Sequence, residues 1–215
     1  MGSPPTDDRW DLIAAERRRL AEDLATLPDG RWSAPTWCER WSVEQVVAHL
    51  TAGATTGRWA WLRSMAAARF DPAVHNQRRL AEHLGPTPGH TLDRFRAAID
   101  SRTAPTGDLW AWLGEIVVHA ADIREPLGLA TRPPVEAVVP VAIGYAGRDF
   151  AVNSRRAIRG VRLVATDSDF SAGRGPVAQG TTLDLVLAMA GRGPAVARLT
   201  GDGTAVLRSN LSGSR

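Results

Sequence analysis

Apolar residues recur at helical spacing through the first part of the chain, and then the pattern changes. From Asp7 to about Leu27, Trp10, Ile13, Arg17, Leu20 and Leu24 follow one another three or four apart, and Leu12, Ala15, Ala21 and Leu27 broaden the stripe. That spacing predicts an amphipathic helix, which Pro28-Asp29-Gly30 stops. A connection carrying Trp32, Trp37 and Trp41 follows. Ser42, with Gln45 three residues on, makes a capping box and opens a second helix. It runs through Val43, Val46, Val47 and Leu50 to Trp59, Trp61, Leu62 and Met65, with a bend expected where Gly53 and Gly57 weaken it. Asp71-Pro72 breaks the pattern. A weaker helix covers Ala73 to Leu84, and Gly85 to Gly89 is a loop. The third long helix spans about Thr91 to Ser101 on a stripe of Leu92, Phe95, Ala98 and Ile99. The fourth starts at Gly107-Asp108, with Asp108 as its cap, and ends at Pro126-Leu127-Gly128. Four helices with long connections predict a four-helix bundle.

Beyond Arg132-Pro133-Pro134 another helix is expected from Val135 to about Asn153. The period then changes. Gly160 to Thr166 alternates like a half-buried strand, Asp167 to Gly180 is turn-rich, Thr182 to Ala190 is a short apolar helix, and Ala205-Val206-Leu207 reads as a final strand. The fold class is therefore α+β. A helical bundle over residues 1–153 precedes a small α+β domain over 154–215, the boundary falling between Leu129 and Gly160.

Composition narrows the function. The chain has 215 residues, 44% of them hydrophobic, enough for a sizeable core. No run approaches the roughly 18 apolar residues of a membrane span. The start, MGSPPTDDRW, carries no basic flank or apolar stretch, so no secretion signal is expected. One cysteine cannot make an internal disulfide, which suits a reducing cytoplasm. All 26 basic residues are arginine, and they are interleaved with 23 acids to a net charge of +3. Such scatter gives no basic face for nucleic acid. A monomer or homodimer acting on small molecules is expected.

The candidate chemistry is a split triad. Glu115 and His119 lie four apart, so on a helix they share a face, and His49 sits alone on an earlier apolar helix. If the two helices pack together, two imidazoles and a carboxylate converge, the ligand set of a zinc site with an open position. The bland alternative makes His49 a satisfied buried histidine and pairs Glu115 with an arginine. Small neighbours of His49 (Ala52, Gly53, Thr56) leave room for a ligand. Asp122, three residues after His119, either accepts that ring's second N–H or contacts Arg124 or a loop amide. Cys38 reads as a small apolar residue. His75, His83 and His90 are expected at the surface, with His83 able to approach the site. Gly173-Arg174-Gly175 reads as a hairpin turn, and the tryptophans as bundle core rather than a platform for bases.

The stretch Pro35-Thr36-Trp37-Cys38-Glu39-Arg40-Trp41-Ser42-Val43, followed by Val47-Ala48-His49-Leu50, resembles the N-terminal signature of the mycothiol-dependent maleylpyruvate isomerase family, one of the DinB-like metal-binding bundles. Glu115 to Arg124 resembles its second signature. Val161 to Asp169, Ser171-Ala172-Gly173, the helix through Leu187, and Leu199 to Gly203 resemble its sterol-carrier-like C-terminal domain. The resemblance implies that His49, Glu115 and His119 hold a divalent metal, usually zinc, and that mycothiol is the cosubstrate. It also implies that an arginine of the C-terminal domain serves the site, for which Arg198 and Arg208 are candidates. Nothing between Phe70 and Gly89 identifies maleylpyruvate as the substrate. Three functions remain open on this reading: a thiol-dependent isomerase or S-transferase, a metal-assisted hydrolase, and a non-catalytic protein that binds a small ligand.

Overall fold

A computed structural model describes residues 6–38, 41–149 and 152–213. Glu39 and Arg40 of the first signature lie outside the described residues. The chain divides into two compact units, one ending at Arg132 and the other beginning at Pro133.

The first unit holds helices α1 (Thr6–Ala25), α2 (Val43–Thr55), α3 (Arg58–Ala67), α4 (Pro72–His83), α5 (Pro88–Ala97) and α6 (Leu109–Leu127). Four of them close a ring: α1 packs on α5 and α6, and α2 packs on the same two. That ring is the expected bundle. Ile13, Leu20, Val46, Val47, Phe95, Leu113 and Ile123 are among its buried side chains. Helix α4 lies against α2, and α3 against α4.

Local chemistry sets the ends. Ser42 Oγ accepts from Gln45 N, and Gln45 Oε1 accepts from Ser42 N, so both arms of the capping box form. Gly128, at φ 70°, ends α6. Asp108 stands at the N-cap of α6 without making the side-chain cap bond the sequence suggested. The expected bend in the second helix is a full break: Thr56 is extended and Gly57 caps a separate α3. Arg17, on the apolar stripe of α1, is buried because its Nη1 reaches the carbonyls of Ala98, Ile99 and Ser101 just beyond the end of α5. It thereby satisfies acceptors that every helix end leaves open. Burial lowers its pKa to about 10.

Gly53 has nothing within 4 Å of the place a Cβ would occupy. Gly53→Ala is therefore expected to stabilise the protein by roughly 0.5–1 kcal/mol through the unfolded chain. A thermal melt should show the midpoint rising by about 1–4 °C. A lower midpoint would show that the position is confined.

The second unit contains α7 (Val135–Gly147), α8 (Ser154–Ala157), β1 (Arg162–Ala165), β2 (Ser171–Gly173), β3 (Val177–Gly180), α9 (Thr182–Met189), α10 (Gly193–Val196) and α11 (Gly203–Ser212). Helix α7, which the sequence reading placed with the bundle in 1–153, packs on α9 instead. The boundary accordingly falls at Pro133. The apolar face of α7 (Ala137, Val138, Val141, Ala142) finds its cover there. The sheet runs β2-β1-β3, with β1 antiparallel to β2 and parallel to β3.

Two expectations are corrected here. Residues 205–207 lie in helix α11, not in a strand. Three apolar residues alone cannot set a period. Residues 173–175 carry the chain from β2 across to the opposite edge of the sheet, so they are no hairpin turn. A Cβ on Gly173 would stand 2.1 Å from the Val161 carbonyl oxygen, and one on Gly175 2.3 Å from that of Gly160. Backbone clearance dictates both glycines.

Candidate metal centre

Helices α2 and α6 pack together, and each brings polar groups into an apolar setting. His49 stands between buried Ala48 and Leu50 on α2. Glu115 and His119 stand among buried Gly114, Ile116, Val117, Val118 and Ala120 on α6. The three side chains meet. His49 Nε2 and His119 Nε2 each lie 3.4 Å from Glu115 Oε2. One donor atom from each residue lies within 4.8 Å of the others. The two imidazoles sit edge to face, 5.1 Å between centroids. Bond lengths of about 2.0–2.1 Å in a tetrahedral zinc site put neighbouring ligand atoms roughly 3.3 Å apart. The 3.4 Å contacts fit that spacing, and two nitrogens with one oxygen fit the donor chemistry of zinc.

Electrostatics act in opposite directions on the two histidines. Burial pushes the His49 pKa down against the pull of Glu115, and neighbouring His119 adds to the lowering. A neutral imidazole is the form that ligates a metal. Burial opposes charge on Glu115, yet the hydrogen bonds and charges of His119 and His49 outweigh it and hold the carboxyl well below its usual range. Burial likewise opposes charge on His119, but Asp122 and then Glu115 raise its pKa to about 9. Asp122 is fully buried, and its Oδ2 lies 3.0 Å from His119 Nδ1. Of the two roles open to Asp122 in the sequence, this is the one that orients the ring and leaves Nε2 toward Glu115. Arg124 turns away to Asp23 and Glu16.

A pH dependence follows. Without metal, His119 keeps its extra proton up to about pH 9, and a cation must displace that proton to bind. Apparent zinc affinity is expected to rise about tenfold per pH unit between pH 7 and 9 and then to level off. Competition with a chelator at two pH values measures the slope. An affinity that ignores pH over that range would contradict the assignment.

Several residues stand where the sequence did not place them. The Trp41 ring lies 4.6 Å from the His49 ring and 6.2 Å from that of His119, so it walls the site instead of filling the bundle core. Trp59 is 80% exposed, while Trp32 is buried as expected. His75 is buried beside Trp61 and not at the surface. His83 lies 3.3 Å from Thr55 Oγ1, and His90 2.8 Å from Thr87 Oγ1. Cys38 was read as a mere apolar residue, yet it lies with His119 and Asp122 so that a donor atom from each is within 4.8 Å of the others. The two candidate arginines belong to the second unit, whereas the triad belongs to the first. Arg198 bonds Asp184 through Nε and Nη2 at 2.6 and 2.5 Å. Arg208 is an exposed residue of α11.

Comparison with known proteins bears on this arrangement. Residues 13–108 match the family described as the mycothiol maleylpyruvate isomerase N-terminal domain. No match is found among curated proteins. Two solved structures share the fold at a TM-score of 0.66. One is a crystal structure of the mycothiol-dependent maleylpyruvate isomerase, at 19% identity. The other is of that enzyme with a histidine replaced by alanine, at 18% identity. In each case 94% of this chain and 96% of the other are covered.

Proposed function

We propose that this chain, a member of the mycothiol-dependent maleylpyruvate isomerase family through its residues 13–108, is a divalent-metal-dependent enzyme. It uses a small thiol, mycothiol, as cosubstrate and acts as an isomerase or S-transferase on a small electrophile. The observation that carries this reading is the convergence of His49, Glu115 and His119 at zinc-ligand spacing. Their side chains keep 16%, 30% and 12% exposure, so the centre can be reached by a ligand.

When bound, zinc offers an open position at which a thiol loses its proton at neutral pH. The chain's own residues supply the rest. His49, Glu115 and His119 hold the ion, Asp122 fixes the ring of His119, and Trp41 walls the histidine side of the site. The thiolate sulfur adds to an activated double bond of the substrate. Rotation about the resulting single bond and departure of the thiolate complete an isomerisation, and uptake of a proton from solvent at the carbanion followed by release of the adduct completes a transfer. A cytoplasmic location fits both the single cysteine and a reduced thiol cosubstrate. Among the described residues no helix is long and apolar enough to cross a membrane.

The test is turnover of maleylpyruvate, and of a set of electrophilic alkenes, by the zinc-loaded chain with and without mycothiol. Isomerisation or adduct formation is expected only with both present. Hydrolysis of a substrate without thiol would overturn the proposal in favour of a hydrolase.

A further inference from the structure

His119 has a different carboxylate at each ring nitrogen: Nε2 faces Glu115 Oε2 at 3.4 Å, and Nδ1 faces Asp122 Oδ2 at 3.0 Å. The first side belongs to the triad. On the second, Cys38 joins His119 and Asp122, with one donor atom from each within 4.8 Å of the others. We infer that Cys38, His119 and Asp122 form a second cation site, selective for soft divalent ions, that shares His119 with the first.

The cysteine is held against α6 by its own backbone. Trp37 N–H donates to the Asp122 carbonyl at 3.0 Å. Thr36 Oγ1 accepts from Cys38 N–H at 3.1 Å and donates to the Trp41 carbonyl at 2.8 Å. These bonds fix the turn before any ion arrives, which lowers the entropy lost on binding. Cys38 is half-buried, so an ion has a route in, and Asp122 is fully buried, so its carboxylate sits where a cation is worth most. Thiolate favours soft ions such as zinc and cadmium over magnesium or calcium.

Charge closes as well. Filling both sides removes the thiol proton and both ring protons of His119. The two dications are then balanced by the carboxylates of Glu115 and Asp122, the Cys38 thiolate and the His119 imidazolate. A neutral cluster is the arrangement a largely buried centre tolerates. The site shares His119 and Asp122 with the proposed activity but needs neither thiol cosubstrate nor substrate, so a metal alone tests it.

The experiment titrates metal-free protein with cadmium alone, reading bound metal per chain and the thiolate-to-cadmium charge-transfer absorption. Wild type should bind about two ions and show the absorption. Cys38→Ser should bind about one and show none, with unchanged circular dichroism. Glu115→Ala should keep the absorption while losing the other ion. A wild-type chain without the absorption, or Cys38→Ser still binding two ions, would overturn the second site. One ion in wild type, carrying the absorption and unaffected by Glu115→Ala, would support the second site and remove the first.

Discussion

His119→Ala is expected to strip the protein of metal while leaving its helix content intact. Structural zinc sites bind with roughly 10–16 kcal/mol, so each ligand of such a site is worth about 3–4 kcal/mol, or on the order of a hundred- to thousandfold in affinity. His119 carries more than its share, because its ring also links Glu115 to Asp122. The fold does not depend on it to the same degree. The core of α6 is built by Leu113, Ile116, Val117 and Ile123, all within 2% of full burial. His49→Ala and Glu115→Ala are expected to act in the same direction. Metal content and circular dichroism on the three variants check this. Wild-type metal content in all three would end the assignment.

The second large effect is on stability. Arg124 is 2% exposed, its Nε lies 2.6 Å from Asp23 Oδ2, and its Nη1 lies 3.7 Å from Glu16 Oε2. Glu16 is fully buried and also bonds Arg19, and Thr131 Oγ1 donates to Asp23 at 2.5 Å. Arg124→Ala takes the Arg124 guanidinium away from both carboxylates and leaves Glu16 its bond to Arg19. Removing one partner of a buried pair costs about 3–5 kcal/mol. At this size that lowers the melting midpoint by on the order of 10 °C.

The deficit should depend on pH. Burial raises the Glu16 pKa above its ordinary value, while Arg19 and Arg124 pull it down. Without Arg124 it rises further. A carboxyl whose folded pKa exceeds its unfolded value contributes stability at pH below the unfolded pKa, and that contribution is lost as pH climbs through the folded one. The variant should therefore lose more stability relative to wild type at pH 8 than at pH 5. Melts at the two pH values measure it, and a midpoint within 2 °C of wild type at both would contradict the account.

The bundle was legible because its stripes are long and its stops are strong. Pro28-Asp29-Gly30, the Ser42 capping box and Gly128 mark ends that backbone geometry enforces. The pairing of Glu115 and His119 was legible for the same reason: spacing of four on one helix guarantees that the two share a face. What stayed hidden depends on distant partners. Nothing local shows that Arg17, on an apolar stripe, serves carbonyls more than eighty residues away. Nothing local sends Arg124 to α1 rather than to its neighbour Asp122. The closeness of Cys38 to His119 and Asp122 was hidden for the same reason, because the turn that ties Trp37 to α6 sets it. In the second unit the strand at 162–165 and the helix at 182–189 were legible, whereas residues 205–207 were too few to set a period and fit a strand as well as a helix until their cover is known.

The most direct test of the central claim uses a chain without its own thiol. Cys38→Ser protein, loaded with one cobalt per chain, is titrated with mycothiol while the visible and near-ultraviolet spectrum is recorded. The protein has no other cysteine, so any thiolate-to-cobalt absorption reports the added thiol. The account predicts that the absorption grows to saturation in this chain and is absent when His119→Ala is added. A cobalt spectrum that mycothiol leaves unchanged would contradict it.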